Sequence, residues 1–343
     1  MRIAQISSLN SPVPPPAYGG TELIVFLLTE ALIRRGHQVT LFASGDSVTS
    51  AELVPACEFA LKGSGIPLKQ RHIIGMINVL NCLERAGEFD IIHNHAFPEG
   101  LATADLSNTP CLTTFHENLD GMEELFLRYQ GWYNTVSRSQ KNNLPDKEGY
   151  VGIVYNAINV NSYPFSIDGE RGNYLLFLAS LIPKKGPHIA IEVAKRLKRR
   201  LVIAGNINEE YPEYFRDEIE PQIKGNLICY FGEANQEQKK ELLVQADCLV
   251  APIVWEEPFG LQFIEAMACG TPVVAFNRGA VPEVVKHTET GFVVNTIEGM
   301  VAAIKNIPWI DRTICRQHVE QKFDAPRMVQ NYLDIYECIF ERD

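Results

Sequence analysis

The sequence predicts an α/β fold made of two doubly wound domains. Its 343 residues fit two domains of about 150 residues each better than a single one. Short apolar runs rich in β-branched residues alternate with segments of helical period, which is typical of parallel sheets built from β-α-β units. A loop-rich stretch over residues 155–173 interrupts this pattern, which then begins again. We therefore expect one parallel sheet in each half of the chain.

The first half opens with a complete β-α-β unit. Residues 2–7 form a short apolar run, and residues 39–43 form the next one. Between them, residues 21–35 place apolar side chains on one helical face, and Gly36 is the expected stop of that helix. Further strands are expected at residues 90–93, 111–115 and 133–136.

A polar side chain follows each of these three later strands. In an open parallel sheet, ligands bind beyond the carboxyl ends of the strands. His95, His116 and Ser137 are therefore candidates to line a site. A histidine at a strand end is, however, as often structural as functional.

The second half repeats the arrangement after the predicted linker at residues 155–173. Its strands are expected at residues 174–179, 201–204, 227–231, 248–252 and 272–276. Its helices are expected at residues 187–199, 236–246 and 261–269. A last helix, residues 326–340, is expected to cross back to the first domain. The predicted domains are residues 1–160 and 161–325, with residues 326–343 as the returning segment.

Composition and charge argue against several classes of protein. The formal net charge of -11 removes the basic surface expected of a nucleic-acid-binding protein. The N-terminus turns polar too early for a signal peptide, and no apolar run approaches the ~18 residues of a spanning helix. The eight cysteines include no C-x-x-C pair, which argues against a zinc cluster. We expect a cytoplasmic protein, and peripheral contact with a membrane stays open.

Two carboxylates flank a predicted helix start in WEEPFGLQFIEAMACGTP, residues 255–272. Glu257 lies in the loop before the helix, and Glu265 lies about one turn inside it. Backbone amides around residues 259–261 would meet phosphate or hydroxyl oxygens at the helix N-terminus. Taken alone, the carboxylates are explained more simply by a helix-end preference and an exposed helix residue. Together with the amides they favour a polyhydroxylated ligand that carries a diphosphate.

The string E-P-F-G-x-x-x-x-E-A-M-A-C-G-T-P-V-V resembles, almost position for position, the signature of glycosyltransferase family 4. These are retaining enzymes of GT-B fold, so the resemblance implies two facing Rossmann-like domains with a cleft between them. It implies that Glu257 contacts hydroxyls of the donor sugar and that Glu265 binds the ribose hydroxyls. It also implies that the amides of Phe259, Gly260 and Leu261 approach the sugar and phosphate.

Two other segments resemble the same family. Gly19 and Gly20 match its glycine loop, whose amide approaches the donor phosphate, although a glycine pair before a helix is commonly just a turn. In ASLIPKKG, residues 179–186, Lys185 matches a lysine that holds the diphosphate and stabilises the charge that develops as it leaves. Ser180 stands where the family usually has an arginine. Lys184 or an arginine elsewhere would replace that cation, or donor binding would be weaker.

The D-x-x-H-x-H pattern of residues 90–95 also resembles the family, whose second histidine lies close to the donor sugar and acceptor. This favours His95 for the site, with His93 packed in the core. The expected catalytic residues are His95, Lys185 and Glu257. The acceptor-side candidates are His116, Ser137 and Asn156, the last where the family usually has an asparagine near the cleft.

The resemblance implies a retaining hexosyltransferase that moves a sugar from a nucleotide-sugar, with UDP- or GDP-sugars as the leading expectation, to a hydroxyl acceptor. No D-x-D occurs in the chain, so metal-independent catalysis without a cofactor is expected. Two alternatives stay open: a nucleotide-sugar-binding protein without transferase activity, and a nucleotide-sugar hydrolase or epimerase. The motifs specify neither the base and sugar of the donor nor whether the acceptor is a small molecule, lipid or glycan.

Overall fold

The computed structural model describes residues 1–102, 106–142, 144, 147–165 and 172–342. The chain divides into two compact units. The first unit comprises Met1–Ala157 and Ala325–Asp343, and the second comprises Ile158–Asp324. Each unit contains one parallel sheet with helices between its strands. The predicted α/β class with two doubly wound sheets is therefore confirmed.

The first unit has a seven-stranded sheet in the order β3-β2-β1-β4-β5-β6-β7. Its strands are β1 (Arg2–Ile6), β2 (Gln38–Ala43), β3 (Glu52–Pro55), β4 (Ile91–Asn94), β5 (Cys111–Phe115), β6 (Trp132–Thr135) and β7 (Tyr150–Ile153). Its helices are α1 (Gly20–Arg34), α2 (Leu68–Glu84), α3 (Glu123–Arg128) and α4 (Arg138–Asn142). The strand order reverses between β1 and β4.

Burial explains the central strands of this sheet. In β1, Ile3, Ala4 and Ile6 are fully buried, and Ile3 pairs with Ile91 of β4. Strands covered by helices on both faces read as continuous apolar runs, as these do. The helix α1 ends where expected, because Gly36 adopts a left-handed φ of 86° just beyond it.

The second unit has a six-stranded sheet in the order β10-β9-β8-β11-β12-β13. Its strands are β8 (Leu175–Leu178), β9 (Leu201–Ala204), β10 (Ile228–Gly232), β11 (Cys248–Ala251), β12 (Val273–Phe276) and β13 (Gly291–Val294). Its helices are α5 (Pro187–Leu197), α6 (Pro212–Tyr214), α7 (Gln236–Gln245), α8 (Leu261–Ala268), α9 (Val281–Val284), α10 (Ile297–Lys305) and α11 (Arg312–Lys322). The strand order reverses between β8 and β11.

The last helix, α12 (Ala325–Phe340), belongs to the first unit, although it follows the second unit in the chain. It packs against α1 and β7. Tyr332, Tyr336 and Ile339 recur at helical spacing and are fully buried. This amphipathic face completes the core of the first unit.

The predicted linker at residues 155–173 includes residues 166–171, which lie outside the described residues. Its described part contains a 3₁₀ turn at Val160–Ser162. Within the second unit, the Ile158 amide donates a hydrogen bond to the carbonyl of Phe323 (3.0 Å). In the part of the chain that the structure describes, no helix is long and apolar enough to cross a membrane.

Candidate functional site

Each sheet has a topological switch point, where the strand order reverses and ligands of such sheets bind. In the second unit, the loop after β8 carries Lys185 and the loop after β11 carries Glu257. The two loops touch at Gly186, which has a φ of 76°. A Cβ atom there would lie 2.2 Å from the carbonyl oxygen of Pro252, so only glycine allows this approach.

A buried ion pair joins these two loops. Lys185 Nζ lies 2.5 Å from Glu257 Oε2, and the two residues are 7% and 6% exposed. Trp255 donates its indole N–H to the same carboxylate oxygen at 2.9 Å. Buried charges are stable only when paired and hydrogen-bonded, and these contacts satisfy that requirement. The carboxylate and the ammonium group are thus fixed side by side at the switch point.

The Trp255 ring also contacts a second lysine, Lys184. Lys184 Nζ lies 3.9 Å from the centre of the Trp255 ring, and Lys185 Nζ lies 5.0 Å from it. A cation above an indole face is held by the charge distribution of the ring. Lys184 is exposed, whereas Ser180 is 95% buried, with no hydrogen-bond partner for its hydroxyl among the described residues. Two lysines and an unpartnered serine therefore follow β8.

The loop that carries Glu257 is fixed by its backbone. The Ala280 amide donates to the Glu257 carbonyl at 2.8 Å, and the Gly279 amide donates to Glu256 Oε2 at 2.6 Å. Gly279 has a φ of 55°, and a Cβ atom there would lie 2.2 Å from the Glu257 carbonyl oxygen. The start of α9 therefore holds the Glu257 loop with no space for a larger residue at position 279.

The N-terminus of α8 follows this loop directly. Gly260 is its N-cap residue, with a φ of 84°, and no side chain caps the helix. Leu261 is the first helical residue. The first amides of a helix lack partners within the helix and attract anions. Phe259 is buried and packs edge-to-face on Phe323, which anchors the loop below these amides.

Glu265 lies inside α8 and is 96% buried, so its simpler interpretation as an exposed helix residue is wrong. Tyr163 donates its hydroxyl to Glu265 Oε1 at 2.9 Å, and Lys239 of α7 forms an ion pair with the same oxygen. Burial, followed by the adjacent Glu265 carboxylate, raises the pKa of Tyr163, which keeps the phenol a donor. Glu265 is therefore a buried acceptor with one oxygen already engaged.

The switch point of the first unit carries a buried histidine network. His95 Nε2 lies 2.9 Å from Gln5 Oε1, and His95 Nδ1 lies 2.9 Å from His116 Nε2. The His93 ring packs against the His95 ring, with ring centres 3.9 Å apart and a tilt of 39° between their planes. The expected packing of His93 in the core is confirmed, because it is fully buried.

Tyrosines of α12 complete this network. Tyr336 donates its hydroxyl to His93 Nδ1 at 2.7 Å and accepts from Gln5 Nε2 at 3.3 Å. His93 Nε2 then donates to Thr114 Oγ1 at 2.7 Å, and Thr114 in turn donates to Asn134 Oδ1 at 2.5 Å. Thr114 Oγ1 also lies 3.3 Å from the Tyr332 hydroxyl, so two tyrosines of α12 join this network.

The direction of these bonds follows from the charge state of the rings. Burial holds the pKa values of His93 and His95 well below 6.5 and lowers the pKa of His116 to about 4, so all three are neutral at neutral pH. Because His95 donates to Gln5, its Nδ1 accepts from His116. His116 Nδ1 is then an acceptor, and it is buried with no partner among the described residues.

The remaining predicted residues of the first unit lie at two helix starts and in one buried position. Gly19 is the N-cap residue of α1, where a Cβ atom would lie 2.6 Å from Pro15, and Gly20 begins the helix. Ser137 is fully buried and accepts the Gln140 amide at 3.1 Å, which caps α4. Asn156 is buried, and its Oδ1 has no partner among the described residues.

The predicted residues therefore fall into two groups, one in each unit. Lys185, Glu257 and the start of α8 surround the second switch point, and His95 with His116 lies at the first. Sequence patterns missed Gln5, Tyr336 and Trp255. Of these, only Trp255 carried a signal, because it lies within the recognised string.

Comparisons with known proteins agree with this arrangement. The model of Glycosyltransferase Family 4 matches residues 18–162, and the model of glycosyl transferases group 1 matches residues 164–307. Glycogen synthase of Mycobacterium tuberculosis strain H37Rv is 25% identical over 368 aligned residues, which cover 90% of this chain and 86% of that protein.

Two solved structures share the fold over the whole chain. Sucrose-phosphate synthase of Thermosynechococcus elongatus aligns with a TM-score of 0.80, 19% identity and 100% coverage of both chains. Anabaena Alr3699/HepE in complex with UDP-glucose aligns with a TM-score of 0.73 and 19% identity, over 99% of this chain and 100% of that chain. The fold and the family models define a glycosyltransferase of GT-B fold. The chain belongs to glycosyltransferase family 4.

Proposed function

We propose that the protein transfers a sugar from a nucleotide-sugar, a UDP- or GDP-sugar, to a hydroxyl acceptor with retention at the anomeric carbon and without a metal ion. The observation that carries this proposal is the buried pair of Lys185 and Glu257 at the second switch point. A cation for a phosphate and a carboxylate for hydroxyls lie within one hydrogen bond of each other. A sugar diphosphate carries phosphate oxygens for the cation and hydroxyls for the carboxylate.

The donor would replace contacts that the side chains now make with one another. Its diphosphate would bind Lys185 and the amides at the start of α8, and a sugar hydroxyl would donate a hydrogen bond to Glu257. The Trp255 indole stays hydrogen-bonded to the carboxylate and keeps it oriented. Glu265 keeps Tyr163 and Lys239 and accepts from the ribose hydroxyls. Gly19 and Gly20, at the start of α1 in the first unit, would bind a phosphate through their backbone amides.

The histidine network would receive a hydroxyl rather than a carbonyl. His116 Nδ1 is a buried acceptor without a partner among the described residues, so it requires a ligand group that donates a hydrogen. His95 holds His116 in that tautomer, because its Nδ1 accepts the hydrogen of His116 Nε2. We assign this pair to a hydroxyl of the donor sugar or of the acceptor. Ser137 supports the site from α4, and Asn156 offers a second unpartnered acceptor.

Retention follows if the leaving diphosphate takes the proton of the acceptor hydroxyl on the face that it leaves. In that mechanism Glu257 positions the sugar and forms no covalent bond, while Lys185 stabilises the charge that develops on the diphosphate. No double-displacement nucleophile is assigned. A trapped glycosyl adduct on any side chain would contradict this mechanism.

The test begins with ligand-detected NMR of the purified chain against a panel of UDP-, GDP- and ADP-sugars. We expect one sugar diphosphate of the UDP or GDP series to bind, with or without chelator. Turnover with candidate acceptors is then followed by the anomeric coupling constant of the product. Donor consumption without a glycosylated product would favour the hydrolase or epimerase, binding without consumption would favour a binding protein, and an inverted product would contradict retention.

Lys184 is expected to supply the second cation of the donor site, since Ser180 stands where the family usually has an arginine. Lys184→Ala should weaken donor binding about tenfold, since a charged hydrogen bond contributes about 1.5–3 kcal/mol and this lysine is exposed. Trp255→Ala should cause a similar loss through Lys184 and a further one through Glu257. The matched control is Lys195→Ala, an exposed lysine of α5. Equal donor affinity for Lys184→Ala and the control, measured by calorimetry, would remove Lys184 from the site.

A further inference from the structure

The Glu265 carboxylate in α8 has one oxygen that is fully engaged and one that is not. Tyr163 donates to Oε1 at 2.9 Å, and Lys239 of α7 forms its ion pair with the same atom. A carboxylate oxygen offers about two lone-pair positions, so these two donors occupy Oε1. Oε2 makes no hydrogen bond to the described residues. It is therefore the oxygen that remains for a ligand.

Lys239 lies where an apolar side chain would be expected. It is one helical turn from Leu243, which is fully buried, so the two residues share the core-facing side of α7. The side chain of Lys239 is only 13% exposed. A buried ammonium group is stable only with a partner for its charge, and Glu265 is the acidic partner that the described residues provide. The next residue, Lys240, pairs with Glu237 of the same helix instead.

The ammonium group of Lys239 has more hydrogens than acceptors around it. It carries three hydrogens, and Glu265 Oε1 is the single acceptor that they find among the described residues. A buried donor without an acceptor costs free energy. The two side chains therefore present a nearly buried donor, Lys239 Nζ, beside an unused acceptor, Glu265 Oε2. A ligand that binds both needs one oxygen that accepts a hydrogen bond and one hydroxyl that donates one.

The position of Glu265 along α8 indicates which group of the donor meets this pair. Glu265 is four residues beyond Leu261, the first helical residue, which is about 6 Å along the helix axis. In the proposed function, on which this step rests, the donor diphosphate binds the amides at the start of α8. The ribose is joined directly to the first of these phosphates, so it reaches Glu265. Its 2′- and 3′-hydroxyls are neighbours on the ring, and each can donate and accept.

We propose that Lys239 is a specificity-determining residue that selects a ribonucleotide donor. Lys239 Nζ donates to the oxygen of one ribose hydroxyl, and the other hydroxyl donates to Glu265 Oε2. Tyr163 holds Oε1 and so keeps the carboxylate turned in this direction. A nucleotide that lacks either hydroxyl leaves one of the two buried groups without a partner, and sites of this kind reject such analogues strongly. The substrate class is thus ribonucleoside diphosphate sugars, with 2′-deoxyribonucleoside diphosphate sugars excluded.

The test is calorimetric titration of the full chain with UDP or GDP, whichever series the nucleotide-sugar panel selects, and with the 2′-deoxy and 3′-deoxy forms of that nucleotide. We expect each deoxy form to bind the wild type about tenfold or more weakly than the parent nucleotide, because a hydrogen bond to a charged group is lost. Lys239→Met should keep the discrimination against one deoxy form and lose it, to within about twofold, against the other. The matched control Lys195→Met, an exposed lysine of α5, should keep both.

A wild type that binds either deoxy form as tightly as the parent nucleotide would overturn the proposal, and this comparison needs no variant. So would a folded Lys239→Met, verified by circular dichroism, that keeps both discriminations, because Lys239 would then only hold Glu265 in place. Binding of the parent nucleotide separates these failures from that of the proposed function. If no nucleotide of the panel binds, both proposals fail; if one binds without discrimination, the proposed function stands.

Discussion

Lys185→Met is expected to lower the rate of sugar transfer about a thousandfold, the loss typical when a group that stabilises transition-state charge is removed. The same change should lower the free energy of unfolding of the second unit by about 3–5 kcal/mol, because it leaves the buried Glu257 carboxylate without its cation. Turnover with the identified donor and denaturant titration measure the two effects. The matched control is Lys195→Met on the surface of the same unit.

A second substitution separates the role in catalysis from the role in folding. Lys185→Met/Glu257→Gln removes both charges and keeps an oxygen for the Trp255 indole. We expect this double variant to recover most of the lost stability while its transfer rate stays as low as that of Lys185→Met. A double variant that regains activity along with stability would show that the pair serves only to hold the loops together.

The first unit should lose stability steeply below pH 6.5. Its three buried histidines are neutral when folded, and each takes up a proton when the chain unfolds in acid. Their folded pKa values lie below the unfolded value, so the stability that they contribute is complete above about pH 6.5 and falls as the pH drops toward 4. With three protons the slope approaches about 4 kcal/mol per pH unit. Glu22 has the opposite effect on stability, because burial raises its pKa. In acid it binds a proton in the folded unit before it would in the unfolded chain, which offsets the effect of one histidine.

Hydrogen exchange of peptides from β4 and β5, corrected for the intrinsic dependence on pH, measures this slope. His116→Gln removes one titrating group and should reduce it by about 1.4 kcal/mol per pH unit. The matched control is His287→Gln, an exposed residue of the second unit, which should leave the first unit unchanged. Identical slopes for the wild type and His116→Gln would mean that this histidine does not couple to folding.

The central strands and one edge strand, β10, could be predicted from the sequence, whereas the edge strands β3, β7 and β13 were not predicted. The predicted bounds of β5 and β9 agree with the structure residue for residue, because both strands are buried along their whole length. The edge strands β3 and β7 were missed because their residues are only partly buried and form no continuous apolar run. Helix α2 has apolar residues on two faces, which hides its helical period.

The candidate site divides in the same way. The Lys185 loop and the Glu257 string were recognisable because the residues of each are close in sequence and follow a single strand, β8 for the first and β11 for the second. The network that orients His95 was not, because Gln5 and Tyr336 are 331 positions apart and meet only in the folded unit. Burial of Glu265 was also invisible, since it depends on Tyr163 and Lys239 from other parts of the unit.

The place of α12 in the chain determines the order in which the two units can form during synthesis. The second unit is continuous from Ile158 to Asp324, so all of its residues are present before those of α12 have been made. The first unit has the earlier start but lacks Tyr332 and Tyr336 until then, and His93 lacks its hydroxyl donor. Domains generally fold in order from the N-terminus during synthesis. Here the second unit is synthesised completely before the last segment of the first unit, so it can finish folding first.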